Sequence, residues 1–144
     1  MAAQHKNSSA ALHATTSLGR EELAQLAQKA AGEAHGNAWN SPGSVRFERA
    51  TPNRLDFSVQ APGPLRRELM TFSLAINDRD ASGAHDVGVA IARFKTMQNK
   101  MWGLIPLGPR KLLGFAAYRS FLTAFGSAVQ AHDASASVDV TGIA

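Results

Sequence analysis

Residues 55–91 read LDFSVQAPGPLRRELMTFSLAINDRDASGAHDVGVAI, and their alternation of apolar with polar or small positions decides the fold. Leu55, Phe57 and Val59 fall on one face of an extended chain. Met70, Phe72, Leu74 and Ile76 share a face of a second, and Val87, Val89 and Ile91 a face of a third, with Gly88, Ala90 and Ala92 opposite. A period of two is the signature of strands buried on one side. Pro62, Gly63 and Pro64, and then the polar run Asn77 to Asp86, supply turn chemistry between them. Upstream, Val45 and Phe47 carry the same alternation and join the Leu55 segment across Thr51-Pro52-Asn53, a hairpin signature. Links this short predict a meander of four antiparallel strands. A short strand around Val138 and Val140, pairing at an edge, makes the expected sheet four to five strands.

Two helices flank the meander. Ser17 is placed to cap the first, which runs to about His35, with Glu21 and Glu22 favouring the positive end of its dipole. Its apolar side, Leu23, Leu26, Ala27, Ala30, Ala31 and Ala34, is narrow and alanine-rich, and Gly36 and Asn37 end it. Near the carboxyl end, Pro109 suits the first turn of a helix, and Phe115, Tyr118, Phe121, Leu122, Phe125 and Val129 recur at helical spacing to about Ala131. The segment Trp102 to Gly108, WGLIPLG, is apolar but broken by proline and glycine, and reads as a loop.

The resulting class is α+β: an antiparallel sheet of four to five strands with an amino-terminal helix and a long carboxyl-terminal helix packed on one face. Helix-grip ligand-binding proteins and cystatin-like or cone-shaped folds share that broad plan. No motif selects one of them, and the likeness transfers no function. Residues 1–16, Ser/Thr-rich and lacking the apolar core of a secretory signal, read as a flexible tail. Residues 17–144 read as one domain, since 144 residues suffice for one core.

The absence of cysteine excludes disulfides, thiolate metal sites and cysteine nucleophiles, and suits a cytoplasmic location. No apolar run is long enough to span a bilayer. The net charge of +4 is unevenly laid out. Between Asp86 and Asp133 there is no acidic residue, while Arg93, Lys95, Lys100, Arg110, Lys111 and Arg119 make that stretch strongly basic. Segregation of this kind attracts anions or acidic partners wherever the side chains converge.

Several constellations fail on chemistry. Gly103 and Gly108 have the glycine spacing of a phosphate-binding loop, but Pro109 and Arg110 stand where lysine and Ser or Thr are required, so nucleotide hydrolysis is rejected. Asp78 to Gly83 imitates the start of a calcium loop, with Asp86 at the ninth position, yet Val89 occupies the twelfth, where a bidentate carboxylate is needed. An ordinary polar turn accounts for it. Of five histidines, only His85-Asp86 and His132-Asp133 set a base beside a carboxylate, and in extended chain such neighbours face apart. Nucleic-acid binding ranks low, because aromatics are few and those of the last helix fit core spacing.

What remains is Gly108-Pro109-Arg110-Lys111, where cations at an expected helix amino terminus oppose the dipole unless an anion joins them, and the adjoining basic, apolar loop. The ordinary alternatives are solvated cations and a loop that fills the core. The expectation is a non-catalytic binding or interaction domain. Its candidate ligand-binding residues are Lys100, Trp102, Arg110, Lys111, Tyr118 and Arg119, and its partner an anionic or amphipathic small molecule or a second copy in a homodimer. No cofactor or metal is implied. An unlike alternative is a small pocket enzyme using His85, Asp86 or Tyr118 for proton transfer.

Overall fold

The computed structural model describes residues 9–37, 41–62, 67–78, 84–94, 96–97, 100–101, 105–106 and 111–142. In chain order the elements are β1 (Ala11–Thr16), α1 (Arg20–Glu33), β2 (His35–Asn37), β3 (Ser41–Thr51), β4 (Arg54–Gln60), β5 (Glu68–Asp78) and β6 (His85–Phe94). Four two-residue strands follow, β7 (Thr96–Met97), β8 (Lys100–Met101), β9 (Ile105–Pro106) and β10 (Lys111–Leu112). Helix α2 (Phe115–His132) and β11 (Ser137–Thr141) close the chain.

Seven of the strands form one sheet in the order β11-β1-β6-β5-β4-β3-β2, antiparallel throughout and curled into a half-barrel. The expected sheet of four to five strands is therefore too small, although the helices do cover one face. The β3 to β6 meander forms where the alternation placed it. The strands not foreseen are β1 and β2. In β1, ALHATT, the inward positions are Leu12, Ala14 and Thr16, two of them small or polar, so the stretch looks like tail. It inserts between β6 and β11, pairing Leu12 with Val89 on one side and with Val140 on the other. β2 extends from the end of α1 and pairs with β3, in place of the turn that Gly36 and Asn37 signalled.

Register shifts between Phe47 and Arg49, between Val59 and Gln60, and between Thr71 and Phe72 insert irregularities that bend strands and increase twist. The curl makes a hollow inner face, and α2 fills it. Tyr118, Phe121, Leu122, Phe125 and Val129 are fully buried there. Phe121 lies 5.1 Å from Phe57 and 4.9 Å from Phe72 between ring centroids, Tyr118 meets Phe72 edge-on at 4.9 Å, and Phe121 stacks on Phe125 at 5.8 Å. Helix α1 packs beside α2, burying Leu23 and Leu26 together with Ala27, Ala30 and Ala31, whose small side chains allow close approach.

Both helices begin later than expected. α1 starts at Arg20 with Gly19 as its cap, and Ser17 spends its hydroxyl elsewhere. α2 starts at Phe115 behind Gly114, which takes a left-handed φ of 81°. A Cβ on Gly114 would come within 2.8 Å of Val59 Cγ1, so glycine is required by both backbone and space. The expected start at Pro109 lies outside the described residues, but Lys111 falls in β10, ahead of the helix and not in its first turn.

Because Phe121 touches both β4 and β5 from α2, Phe121→Ala should lower unfolding free energy by about 3–5 kcal/mol, measured by urea denaturation, with little change in the slope.

Candidate functional site

The first polar cluster forms where β1 ends and α1 begins. Arg20, in the first turn of α1, donates to the Pro52 carbonyl, to Asn53 Oδ1 at 2.7 Å and to the Ile76 carbonyl, and pairs with Asp78 Oδ1 at 2.9 Å. The β5/β6 hairpin sets Asp78 opposite His85, and His85 Nε2 lies 3.3 Å from the same carboxylate oxygen. His85 Nδ1 is buried without a hydrogen-bond partner among the described residues. Asp86, next in sequence, faces the other side and accepts from Thr15 at 3.1 Å. The expected separation of His85 from Asp86 is what the strand produces, and His85 finds Asp78 instead.

A second cluster centres on Asp133, the residue that caps the carboxyl end of α2. Its carboxylate accepts from Ser135 Oγ at 2.6 Å and Ser135 N–H, and from Thr16 Oγ1 at 2.7 Å, Ser17 N–H and Ser17 Oγ. Hydrogen bonding by Ser135, then by Ser17 and Thr16, holds the Asp133 carboxyl well below the usual carboxylate range. It ties the β1–α1 junction to the α2–β11 junction. His132 turns back to the Ala128 carbonyl at 2.9 Å, so the second adjacent pair does not act together either.

The sequence-nominated ligand residues divide into three groups. Trp102 and Arg110 lie outside the described residues. Lys100 and Lys111 fall on short strands: β8 pairs with β9, Lys100 opposite Pro106, and β7 pairs with β10, Lys111 opposite Met97. The reading of Trp102 to Gly108 as plain loop is corrected at Ile105 and Pro106, which form β9; the rest of that segment lies outside the described residues. Tyr118 and Arg119, adjacent on α2, separate completely. Tyr118 is buried, its hydroxyl donating to the Ala10 carbonyl at 2.7 Å while burial pushes its pKa up. Arg119 is exposed.

Three hollows open on the described surface. One, of about 480 Å³ on the outer face of β3 to β6, is lined by Arg49, Arg54, Asp56, Ser58, Ser73 and Arg93 among others. Asp56 is its hub, accepting from Arg49 at 2.8 Å, Arg54 at 3.1 Å and Ser73 at 2.8 Å. The Arg49 hydrogen bond is the main reason its pKa is lowered, against partial burial. The second, about 320 Å³, lies over β1, β6 and β11 and presents His13, Thr15, Asp86, Ser137 and Asp139. The third, about 590 Å³, runs between α2 and the α1–β2 junction and is lined by Glu33, His35, Arg119, Ser120, Thr123 and Ser127 over a floor that includes Gly36, Ala116 and Ala124. Composition gave no sign of the third, because its walls come from two segments far apart in sequence, 33–36 and 116–127.

Among the described residues no three His, Asp or Glu side chains come together to hold a metal ion, and no helix is long and apolar enough to cross a membrane. No protein family, no curated protein and no solved structure matches the chain.

Two outcomes test these assignments. Asp133 is favoured as the anion by folding, so its stabilisation is present above the ordinary carboxylate value of about 3.9 and is lost as pH falls through the lowered folded value. The gap in urea midpoint between wild type and Asp133→Asn should be open at neutral pH and should close only in strong acid. Tyr118→Phe leaves the buried Ala10 carbonyl unpaired and should cost about 1–3 kcal/mol on chemical denaturation while leaving any ligand response intact.

Proposed function

We propose that this chain is a non-catalytic binding domain that captures an anionic, amphipathic small molecule on the basic ribbon spanning residues 96–112. The carrying observation is the pairing of β7 with β10 and of β8 with β9, which sets Lys111 opposite Met97 and Lys100 opposite Pro106 inside a stretch free of acidic residues. Lys95, Arg110, Trp102, Leu104, Ile105 and Leu107 belong to the same stretch. Positive charge interleaved with apolar residues suits an anionic head joined to an apolar tail. The ribbon works through charge and apolar contact, not through a helix dipole, since α2 begins only at Phe115. The pocket-enzyme alternative loses support at Tyr118, whose hydroxyl is committed to Ala10, and at Asp86, which faces away from His85. A cytoplasmic setting and pairing of two copies through the apolar ribbon belong to the same proposal.

Decanoate kept below its micellar concentration is a suitable probe. It should raise the melting temperature relative to a chloride control of equal ionic strength, and the gain should shrink as salt is added. Arg110→Ala with Lys111→Ala should abolish the gain without lowering the melting temperature of the unliganded protein by more than a degree or two, roughly the scale of surface changes. A wild-type response absent above the chloride control, or an equal response in the double variant, rejects the ribbon as the binding surface.

A further inference from the structure

The three surface hollows differ in one respect that decides what each can hold: whether the positive charge in it is already spent. On the outer face of the sheet, Arg49 and Arg54 are bound to Asp56, Arg46 pairs with Glu48, and Arg93 lies 3.5 Å from Glu68. An anion there must displace a carboxylate. Over β1, β6 and β11 the hollow has two carboxylates and no lysine or arginine. The cleft between α2 and the α1–β2 junction is different. Arg119 reaches it without an ion pair to any described residue, and it shares the cleft with the His35 imidazole.

The rest of the lining narrows the chemistry. Ala116, Ser120, Thr123 and Ser127 follow one another at intervals of three or four residues, so they form a row on the side of α2 opposite Tyr118, Phe121 and Phe125. Three hydroxyls therefore follow one another along this side of α2 about a turn apart, starting at Ser120 next to Arg119 and running away from it to Ser127. Ala116, Ala124 and Gly36 contribute no long side chain of their own to the cleft. Glu33 stands in the same cleft at the end of α1. Its carboxylate accepts hydrogen bonds from hydroxyl donors and repels additional negative charge. A nucleic-acid strand or a polyphosphate is disfavoured on that ground.

We propose that this cleft is a binding site for a small hydroxyl-rich molecule bearing a single phosphate group, with Arg119 holding the phosphate and Ser120, Thr123, Ser127 and Glu33 bonding the hydroxylated body. A guanidinium offers two parallel N–H donors to phosphate oxygens, which a lone ammonium does not. The cleft is a shallow groove of about 590 Å³ open to solvent, along which a six-carbon sugar phosphate would lie partly exposed. The site is separate from the basic ribbon and does not require it.

The test is an amide NMR titration of the full chain with glucose 6-phosphate, with glucose and inorganic phosphate titrated in parallel. Glucose 6-phosphate should produce saturable shifts at residues 33–36 and 116–127, inorganic phosphate weaker ones at the same places, and glucose none. Arg119→Gln, a change on an exposed side chain whose unliganded spectrum verifies the fold, should weaken binding about tenfold or more, as expected for loss of a charge-assisted pair. Thr123→Val should weaken glucose 6-phosphate but not inorganic phosphate. The Arg110→Ala, Lys111→Ala double variant should bind within about twofold of wild type, a change too small to reflect loss of a direct contact. Absence of saturable shifts in the cleft, or unchanged affinity in Arg119→Gln, overturns the site. Equal affinity for phosphate and glucose 6-phosphate overturns the hydroxylated body. Shifts confined to residues 96–112 that vanish in the double variant would uphold the ribbon and reject the cleft. Cleft shifts in a protein that ignores decanoate would do the reverse.

Discussion

The fold depends on the aromatic edge of α2 being driven into the hollow of a curled sheet. Tyr118, Phe121 and Phe125 meet Phe57 and Phe72 from β4 and β5, and each buried ring contributes large apolar area together with favourable tilted or offset contacts. The curl and the wedge need each other. A flat sheet would touch α2 along a single line, whereas bulges in β3, β5 and β6 wrap strands around it. Glycines then set how closely the strands approach. A Cβ on Gly126 would meet Val138 at 3.2 Å and Leu12 at 3.4 Å, so this bare turn of α2 lets β11 and β1 close one side of the hollow.

How much of this was legible depended on how loudly each segment declared its face. Leu55, Phe57 and Val59, with Phe72 and Leu74, are large and alternate cleanly, so the central meander could be read directly. β1 buries Leu12 and Ala14 and then Thr16, whose hydroxyl has a hidden partner in Asp133, and no local pattern distinguishes that from tail. β2 is three residues long and exists because β3 offers it an edge. Pro109 is a good first-turn residue and so misplaced the start of α2. The left-handed cap at Gly114 is fixed by contact with Val59, a tertiary fact.

Candidate site residues were legible by type but not by direction. Tyr118 and Arg119 are neighbours, and a helix sends neighbours about 100° apart, one into the core and one to water. Periodicity assigned Tyr118 to the apolar face, and its polar tip nevertheless kept it among the ligand candidates. The hydroxyl is satisfied by Ala10, more than a hundred residues away, which no spacing rule reveals. Similarly His85 was weighed with the carboxylate beside it in sequence, while hairpin register delivered Asp78. In both cases pairing across strands or layers outranked adjacency along the chain.

The distribution of charge acquires a physical meaning once the partners are known. Asp56, Asp78 and Asp133 are committed to holding elements together, through arginines in the first two and hydroxyls and N–H groups in the third. These three carboxylates are thus spent on architecture. The basic side chains of the stretch between Asp86 and Asp133 have no acidic neighbour in sequence, and of its two cations with described side chains, Arg93 finds Glu68 whereas Arg119 finds no carboxylate. With the inner face of the sheet filled by aromatic rings, that uncommitted charge faces outward. Exposed cations cost the fold little because water and salt screen them, so stability does not account for their arrangement. In the groove beside α2, Glu33 and Arg119 share one lining without forming an ion pair, so that the guanidinium is neutralised by no described carboxylate and its charge is left to water and salt.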